Sequence, residues 1–143
     1  MFNLYNYGVK NSFFNNTKKI SYLDHKSWFL KNHKSRKMII FICFYNNIKV
    51  GYVKFDLFSN LCSKVSIILK KRFRNKGIAS SMLNKSNILI KKFLKTKFLY
   101  AEVKKKNKVS RKFFLKNEFI PVSFKKKYRK FFKKENNLYL KKI

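Results

Sequence analysis

The sequence predicts a mixed α/β domain with one long amphipathic helix set among its strands. Three observations carry this. Two β-branched and aromatic runs, 38–45 and 49–58, flank an Asn46-Asn47 turn, the pattern of a hairpin. A third apolar run, 63–69, leads into a basic loop closed by Gly77. From Ile78 the apolar period lengthens from two to nearly four, so a strand, a loop and a helix succeed one another before the next strand.

Each element follows in turn. Residues 2–9 read as a weak strand. Residues 21–32 read as a helix, with Ser21 as N-cap, Asp24 three residues on, and Tyr22, His25, Trp28 and Phe29 at helical spacing. The hairpin and third strand come next, then the basic loop 70–76. Ala79, Met82, Leu83, Ser86, Leu89, Ile90, Phe93 and Leu94 share one helical face, opposite Lys85, Asn87, Lys91 and Lys95. A strand over 97–104, an amphipathic helix over 107–117, and strands over 119–128 and 138–142 complete the order. No repeat or Gly/Ser/Pro-rich linker interrupts the chain, so residues 1–143 are expected to form a single domain.

Composition narrows the chemistry. The chain holds 37 Lys plus Arg against 5 Asp plus Glu, a net charge of +32, yet 45% of it is apolar and 18% aromatic. That apolar share speaks against a disordered basic tail. The acids are too few for a two-metal site or a paired-carboxylate glycosidase. Cys43 and Cys62, with His25 and His33, show no metal-ligand spacing, so no metal is expected and the thiols read as reduced core residues of a cytoplasmic protein. The longest apolar run, 38–45, falls far short of the ~20 residues a bilayer needs, and the N-terminus lacks the pattern of a signal peptide. The charge favours anionic partners, although an AT-biased coding composition accounts for much of the lysine.

The informative stretch runs from Val65 to Ser81. A strand ends, a basic loop turns, Gly77 follows, and a long helix begins. The first N–H groups of a helix lack partners and the dipole is positive there, so a pyrophosphate fits that end. An ordinary strand-to-helix turn containing a glycine also accounts for the pattern. Neither a Walker loop nor a three-glycine dinucleotide fingerprint is present.

Arg74-Asn75-Lys76-Gly77-Ile78-Ala79 resembles the Arg/Gln-x-x-Gly-x-Gly/Ala signature of the GNAT superfamily of N-acetyltransferases. Glu102-Val103, Asn107, Ser110, Phe113-Phe114 and Phe119 resemble its second motif. The resemblance spans about Ile20 to Ile143. It implies an acyl-CoA N-acyltransferase fold with a splayed central sheet, a splay often caused by a β-bulge, and acetyl-CoA as donor. The pyrophosphate would lie on Arg74, Asn75, Lys76, Gly77, Ile78, Ala79 and Ser80. The pantetheine and acetyl group would run along the strand edge, with Ile68, Leu69 and Lys70 lining it and their N–H groups facing the developing oxyanion. Asn107 and Ser110 would approach from the other side.

The N-terminal half narrows the resemblance. Val9 to Phe13, Ile20-Ser21, His25-x-x-Trp28-Phe29 and Gly51 to Asp56 look like the branch that acetylates nucleotide-linked amino sugars in pseudaminic-acid and related pathways. That places His25, Trp28 and Phe29 at the acceptor. A buried helix face accounts equally for Trp28, and a structural role for His25.

The chain also departs from the family pattern. Phe114 stands where many relatives carry a proton-donating Tyr, Glu118 where they carry Gly, and Lys64 where a Glu is common. The catalytic base is therefore open, with Glu102 through water and His25 as weak candidates.

The expected function is acetyl transfer from acetyl-CoA to the amino group of an anionic small molecule, a nucleotide amino sugar foremost. A protein N-terminal or lysine acetyltransferase is the alternative, disfavoured because cationic peptides would be repelled. A non-catalytic RNA-binding domain is the third reading, prompted by the aromatic and basic run 124–134. Nucleic acid is disfavoured as a partner, membrane insertion is not expected, and homodimerisation is left open.

Overall fold

The computed structural model describes residues 2–10, 18–33, 38–59, 61–94, 96–123 and 136–143. Its elements are α1 (Phe2–Lys10), α2 (Tyr22–His33), β1 (Met38–Tyr45), β2 (Ile48–Ser59), β3 (Cys62–Leu69), α3 (Ile78–Leu94), β4 (Phe98–Lys104), α4 (Lys108–Lys116), β5 (Ile120–Val122) and β6 (Asn136–Lys142). The strands form one sheet in the order β1-β2-β3-β4-β6-β5. β3 and β4 pair in parallel, joined by the α3 crossover, and all other pairs are antiparallel.

The first element corrects the expectation of a strand. Phe2, Tyr5 and Val9 recur at helical spacing, and α1 uses that face: the Phe2 and Tyr5 rings sit 5.7 and 6.4 Å from the His25 ring, and Val9 is buried. Asn6 ties α1 to the start of α2. Its Nδ2 donates to the Ile20 carbonyl at 3.0 Å and its Oδ1 accepts from the Ile20 N–H at 3.1 Å.

α2 starts where Ser21 predicts. The Asp24 N–H donates to Ser21 Oγ at 3.0 Å, and Ser21 Oγ donates to Asp24 Oδ2 at 2.7 Å. The hairpin turns through Asn46 and Asn47, both at positive φ, 47° and 59°, as a tight two-residue connection requires. Towards the chain's end, 120–122 is extended among the described residues of the expected strand 119–128, and 124–135, with the aromatic and basic run, lies outside the described residues.

Side-chain alternation sorts the sheet into two faces. Val53, Phe55, Val65, Leu69, Leu99, Ala101, Val103 and Tyr139 form one core with Met82, Leu83 and Ile90 of α3 and with Phe114 and Phe119 at and beyond α4. The opposite face carries α1 over β3 and α2 over β1. There Tyr52 is buried, and the Lys54 ammonium lies 5.7 Å above the Trp28 ring.

The feature that positions the site is the short pairing of β3 with β4. Only Cys62–Phe98, Ser63–Leu99 and Lys64–Tyr100 are matched, after which the strands part. One end is secured: the Leu61 carbonyl accepts from the N–H groups of Lys97 and Phe98, and Ser63 Oγ meets Thr96 Oγ1 at 2.9 Å in the interior. The splay is as expected, but no bulge accompanies it. β2 pairs with β3 without a shift from Gly51–Leu69 to Leu57–Ser63, and the irregularities lie at Cys43/Phe44 and Leu57/Ser59.

Candidate functional site

The opening between the diverging strands is lined by backbone. The Lys70 N–H donates to the Val50 carbonyl at 2.9 Å, so the peptide groups of Lys70, Ile68 and Ser66 face β2. Those of Leu69 and Ile67 therefore face the opening. This narrows the expected donors among Ile68, Leu69 and Lys70, since only Leu69 turns its N–H towards the gap.

Gly51 permits the close fit behind this edge. A Cβ there would lie 2.0 Å from the Ile68 carbonyl oxygen and 3.1 Å from Leu69 Cα. A glycine inside a strand signals such an approach, and that signal was available in the sequence.

The loop beyond β3 makes a short 3₁₀ turn over Lys71–Phe73, then Asn75 and Gly77 take positive φ, 60° and 72°. The first intrahelical bond of α3 runs from the Ser81 N–H to the Gly77 carbonyl, so the N–H groups of Ile78, Ala79 and Ser80 open from the helix end. A Cβ on Gly77 would meet nothing within 4 Å. Asn75, Lys76 and Gly77 are exposed, and Arg74, Ile78, Ala79 and Ser80 are half-buried. Unpaired donors, positive charge and open space together fit an anionic group.

Across the opening, Asn107 caps α4, its Oδ1 accepting from the Ser110 N–H at 3.0 Å. Both stay half-buried at the far end of β4. Phe114 is buried against Phe119, Phe113 and Tyr139, with ring centroids 4.9, 5.2 and 6.4 Å away. Glu118 stands at φ 66°, the conformation that favours glycine, and pairs with Lys141 Nζ at 2.8 Å. That hydrogen bond and the lysine's charge lower the Glu118 pKa.

At the fork itself Lys64 Nζ meets Glu102 Oε2 at 2.7 Å. The two lie on neighbouring strands, at and just beyond the last matched pair. The Glu102 side chain is only 6% exposed and that of Lys64 31%. Tyr52 and Tyr100 share this face of the sheet. Burial raises both phenol pKa values well above the ordinary value, with Asp56 among the lesser causes for each. Both hydroxyls stay protonated at neutral pH.

The expected acceptor residues lie together on α2 but differ in exposure. His25 is buried among Phe2, Tyr5 and Trp28, and burial lowers its pKa. Phe29 is half-buried, while Trp28 stays 38% exposed beneath the Lys54 ammonium. Cys43 and Cys62 are free and half-buried, and burial raises both thiol pKa values. Among the described residues no group of three His, Cys, Asp or Glu could hold a metal, and no helix is long and apolar enough to cross a membrane.

Comparison with solved structures recovers this architecture. A ribosomal-protein-alanine N-acetyltransferase from Brucella melitensis superposes with a TM-score of 0.75 at 18% identity, covering 99% of this chain and 91% of its own. The acetyltransferase yncA from Salmonella typhimurium, solved with its cofactor acetyl-CoA, gives 0.77 at 12% identity over 99% and 85%. The Campylobacter jejuni N-acetyltransferase PseH, in complex with acetyl coenzyme A, gives 0.66 at 20% identity over 88% and 82%. No curated protein sequence matches the chain. The model of the acetyltransferase (GNAT) family matches residues 7–119, from α1 through the loop at Gly77 to Phe119, and the chain belongs to that family.

Proposed function

We propose that this N-acetyltransferase takes its acetyl group from acetyl-CoA and delivers it to the amino group of a nucleotide-linked amino sugar. One observation carries the donor half. A helix end with unpaired N–H groups, an open glycine and a basic loop lies beside a strand edge whose next peptide groups face a gap. The backbone of the loop 74–80 would hold the pyrophosphate, and the edge at Ile67 and Leu69 the pantetheine arm. Acetyl-CoA supplies an activated thioester.

The chain's own residues do the rest. The Leu69 N–H is oriented to donate to an oxygen that gains negative charge. Glu102 stands at the fork as the carboxylate that would accept the amine's proton through water, and the ion pair with Lys64 fixes its place. Phe114 contributes packing and no proton. His25, enclosed by aromatic rings, orders the joint between α1 and α2.

The acceptor half rests on charge and on Trp28. Each acid among the described residues is engaged: Asp24 with Ser21, Asp56 with Lys54, Glu102 with Lys64 and Glu118 with Lys141. Three of them face a lysine, and with 37 Lys plus Arg against 5 Asp plus Glu the field repels a cationic substrate and draws in a diphosphate. Half-exposed Trp28 offers a flat ring to a sugar. The resemblance of His25-x-x-Trp28-Phe29 and of Gly51 to Asp56 to the sugar-acetylating branch supports this reading. The ribosomal-protein-alanine N-acetyltransferase supports a second one, in which the acceptor is a peptide N-terminus.

The test is Trp28→Ala. KM for a nucleotide amino sugar should rise while acetyl-CoA affinity stays within about twofold. Acetylation of peptides, and of no nucleotide sugar, in a competition assay overturns the acceptor reading. Gly77→Glu tests the donor reading. A Cβ there meets nothing within 4 Å, although φ 72° strains a residue other than glycine, so the comparison is made on folded protein: a folded variant that keeps acetyl-CoA affinity shows the site to be elsewhere.

A further inference from the structure

Resemblance places Arg74 among the residues that add charge around a pyrophosphate. Its side chain is engaged differently. Arg74 Nε donates to the Leu69 carbonyl at 3.1 Å, and its guanidinium lies 5.6 Å from the centre of the Tyr7 ring.

The bond to Leu69 completes a clamp. The peptide unit joining Leu69 to Lys70 is the last of β3, and the loop grows from it. Its N–H is held on one side by the Val50 carbonyl at 2.9 Å, and its carbonyl on the other by Arg74. Held at both poles, this peptide plane cannot rotate without breaking a hydrogen bond, one of them charge-assisted. The plane sets the direction of the neighbouring Leu69 N–H and of the loop's first residues. Gly51 fixes the same place from behind, since β2 and β3 touch there with no room for a Cβ.

The contact with Tyr7 carries the clamp to a second element. A guanidinium over an aromatic face is attracted by the ring's quadrupole. Tyr7 belongs to α1, Asn6 beside it is bonded to Ile20 at the head of α2, and Phe2 and Tyr5 pack on His25 of α2. Arg74 thus ties the root of the donor loop to the layer that carries Trp28.

We infer that Arg74 is a positioning residue, holding the Leu69–Lys70 peptide and α1 in place for the acyl arm of the donor rather than binding its phosphates. The inference rests on the loop being the acetyl-CoA site, and two ligands separate the two claims. 3′-Phosphoadenosine 5′-diphosphate, which keeps the pyrophosphate, reports on the phosphate-binding loop alone, and acetyl-CoA reports on loop and acyl arm together.

Titration calorimetry with both ligands is the test. Arg74→Ala should weaken acetyl-CoA about fivefold or more, while 3′-phosphoadenosine 5′-diphosphate stays within about twofold. Arg74→Gln keeps an N–H donor for the Leu69 carbonyl and should recover part of the acetyl-CoA affinity. Tyr7→Leu should show the Arg74→Ala pattern in weaker form. Equal losses for both ligands would make Arg74 a phosphate ligand, and unchanged acetyl-CoA affinity would make it a bystander; either overturns the inference. If Arg74→Ala does not fold, Arg74→Gln and Tyr7→Leu decide on the same two-ligand comparison. Failure of wild-type protein to bind 3′-phosphoadenosine 5′-diphosphate would instead overturn the reading of the loop.

Discussion

Gly51→Ala is the most informative single change, because its effect follows from three distances. The new Cβ would sit 2.0 Å from the Ile68 carbonyl oxygen, 3.0 Å from the carbonyl carbon and 3.1 Å from Leu69 Cα. All three atoms are backbone, so no side chain can swing aside. Restoring an ordinary contact requires about 1.4 Å of movement or more between strands normally about 4.8 Å apart. That movement stretches the Lys70–Val50 bond, now 2.9 Å, beyond hydrogen-bonding range. Overpacking of this kind costs about 1–3 kcal/mol, and each ladder bond lost about 1 kcal/mol more. For a chain of this size the melting temperature should fall by roughly 10 °C. The lesion lies at the root of the donor loop, so the thermal shift produced by acetyl-CoA should shrink as well. Thermal melts with and without acetyl-CoA measure both effects. A variant that melts within about 1 °C of wild type and keeps its full ligand shift would refute the packing argument.

Three further predictions follow from single residues. Glu118→Gly should raise the melting temperature by a few degrees, because φ 66° strains a glutamate and its carboxylate end of the ion pair is exposed; a lower melting temperature would mean that the bond to Lys141 outweighs the strain. Burial lowers the His25 pKa from 6.5, so the stability contributed by its neutral form is present above that value and lost as pH falls below it. Between pH 7.5 and pH 5, wild type should therefore lose more stability than His25→Phe in parallel melts, and equal losses would disprove this. Phe114→Leu should keep the wild-type pH–rate profile while its rate falls through lost packing, and a new or missing limb would show that this position bears on proton transfer.

Much of this is legible in the sequence alone. α3 announced itself through a run of apolar positions at one period, and its start through a glycine after a basic loop. Asn46-Asn47 and Ser21 fixed a turn and a cap through local chemistry that needs no distant partner. α1 was misread because nine residues mixing aromatic and polar side chains satisfy either period, and its helix is stabilised by rings of α2 that sequence spacing does not bring near. The Lys64–Glu102 pair joins residues 38 apart and depends on the β3–β4 register, which no local pattern encodes. Arg74 carries its signature position openly, yet that its side chain turns back to the strand rather than out to a ligand is a property of the fold.

The brevity of the β3–β4 match has a mechanical consequence. β1, β2 and β3 are laddered together along their lengths, and so are β4 and β6, but three residue pairs join the two groups. The sheet is two leaves bound along a short spine, with the Leu61 carbonyl and the Ser63–Thr96 contact as stitches at one end. Flexing about that spine changes the gap between the free margins without breaking a rung inside either leaf. A molecule carrying its own amide groups into the gap would supply the missing rungs, so the page it occupies is also the binding that holds the book shut.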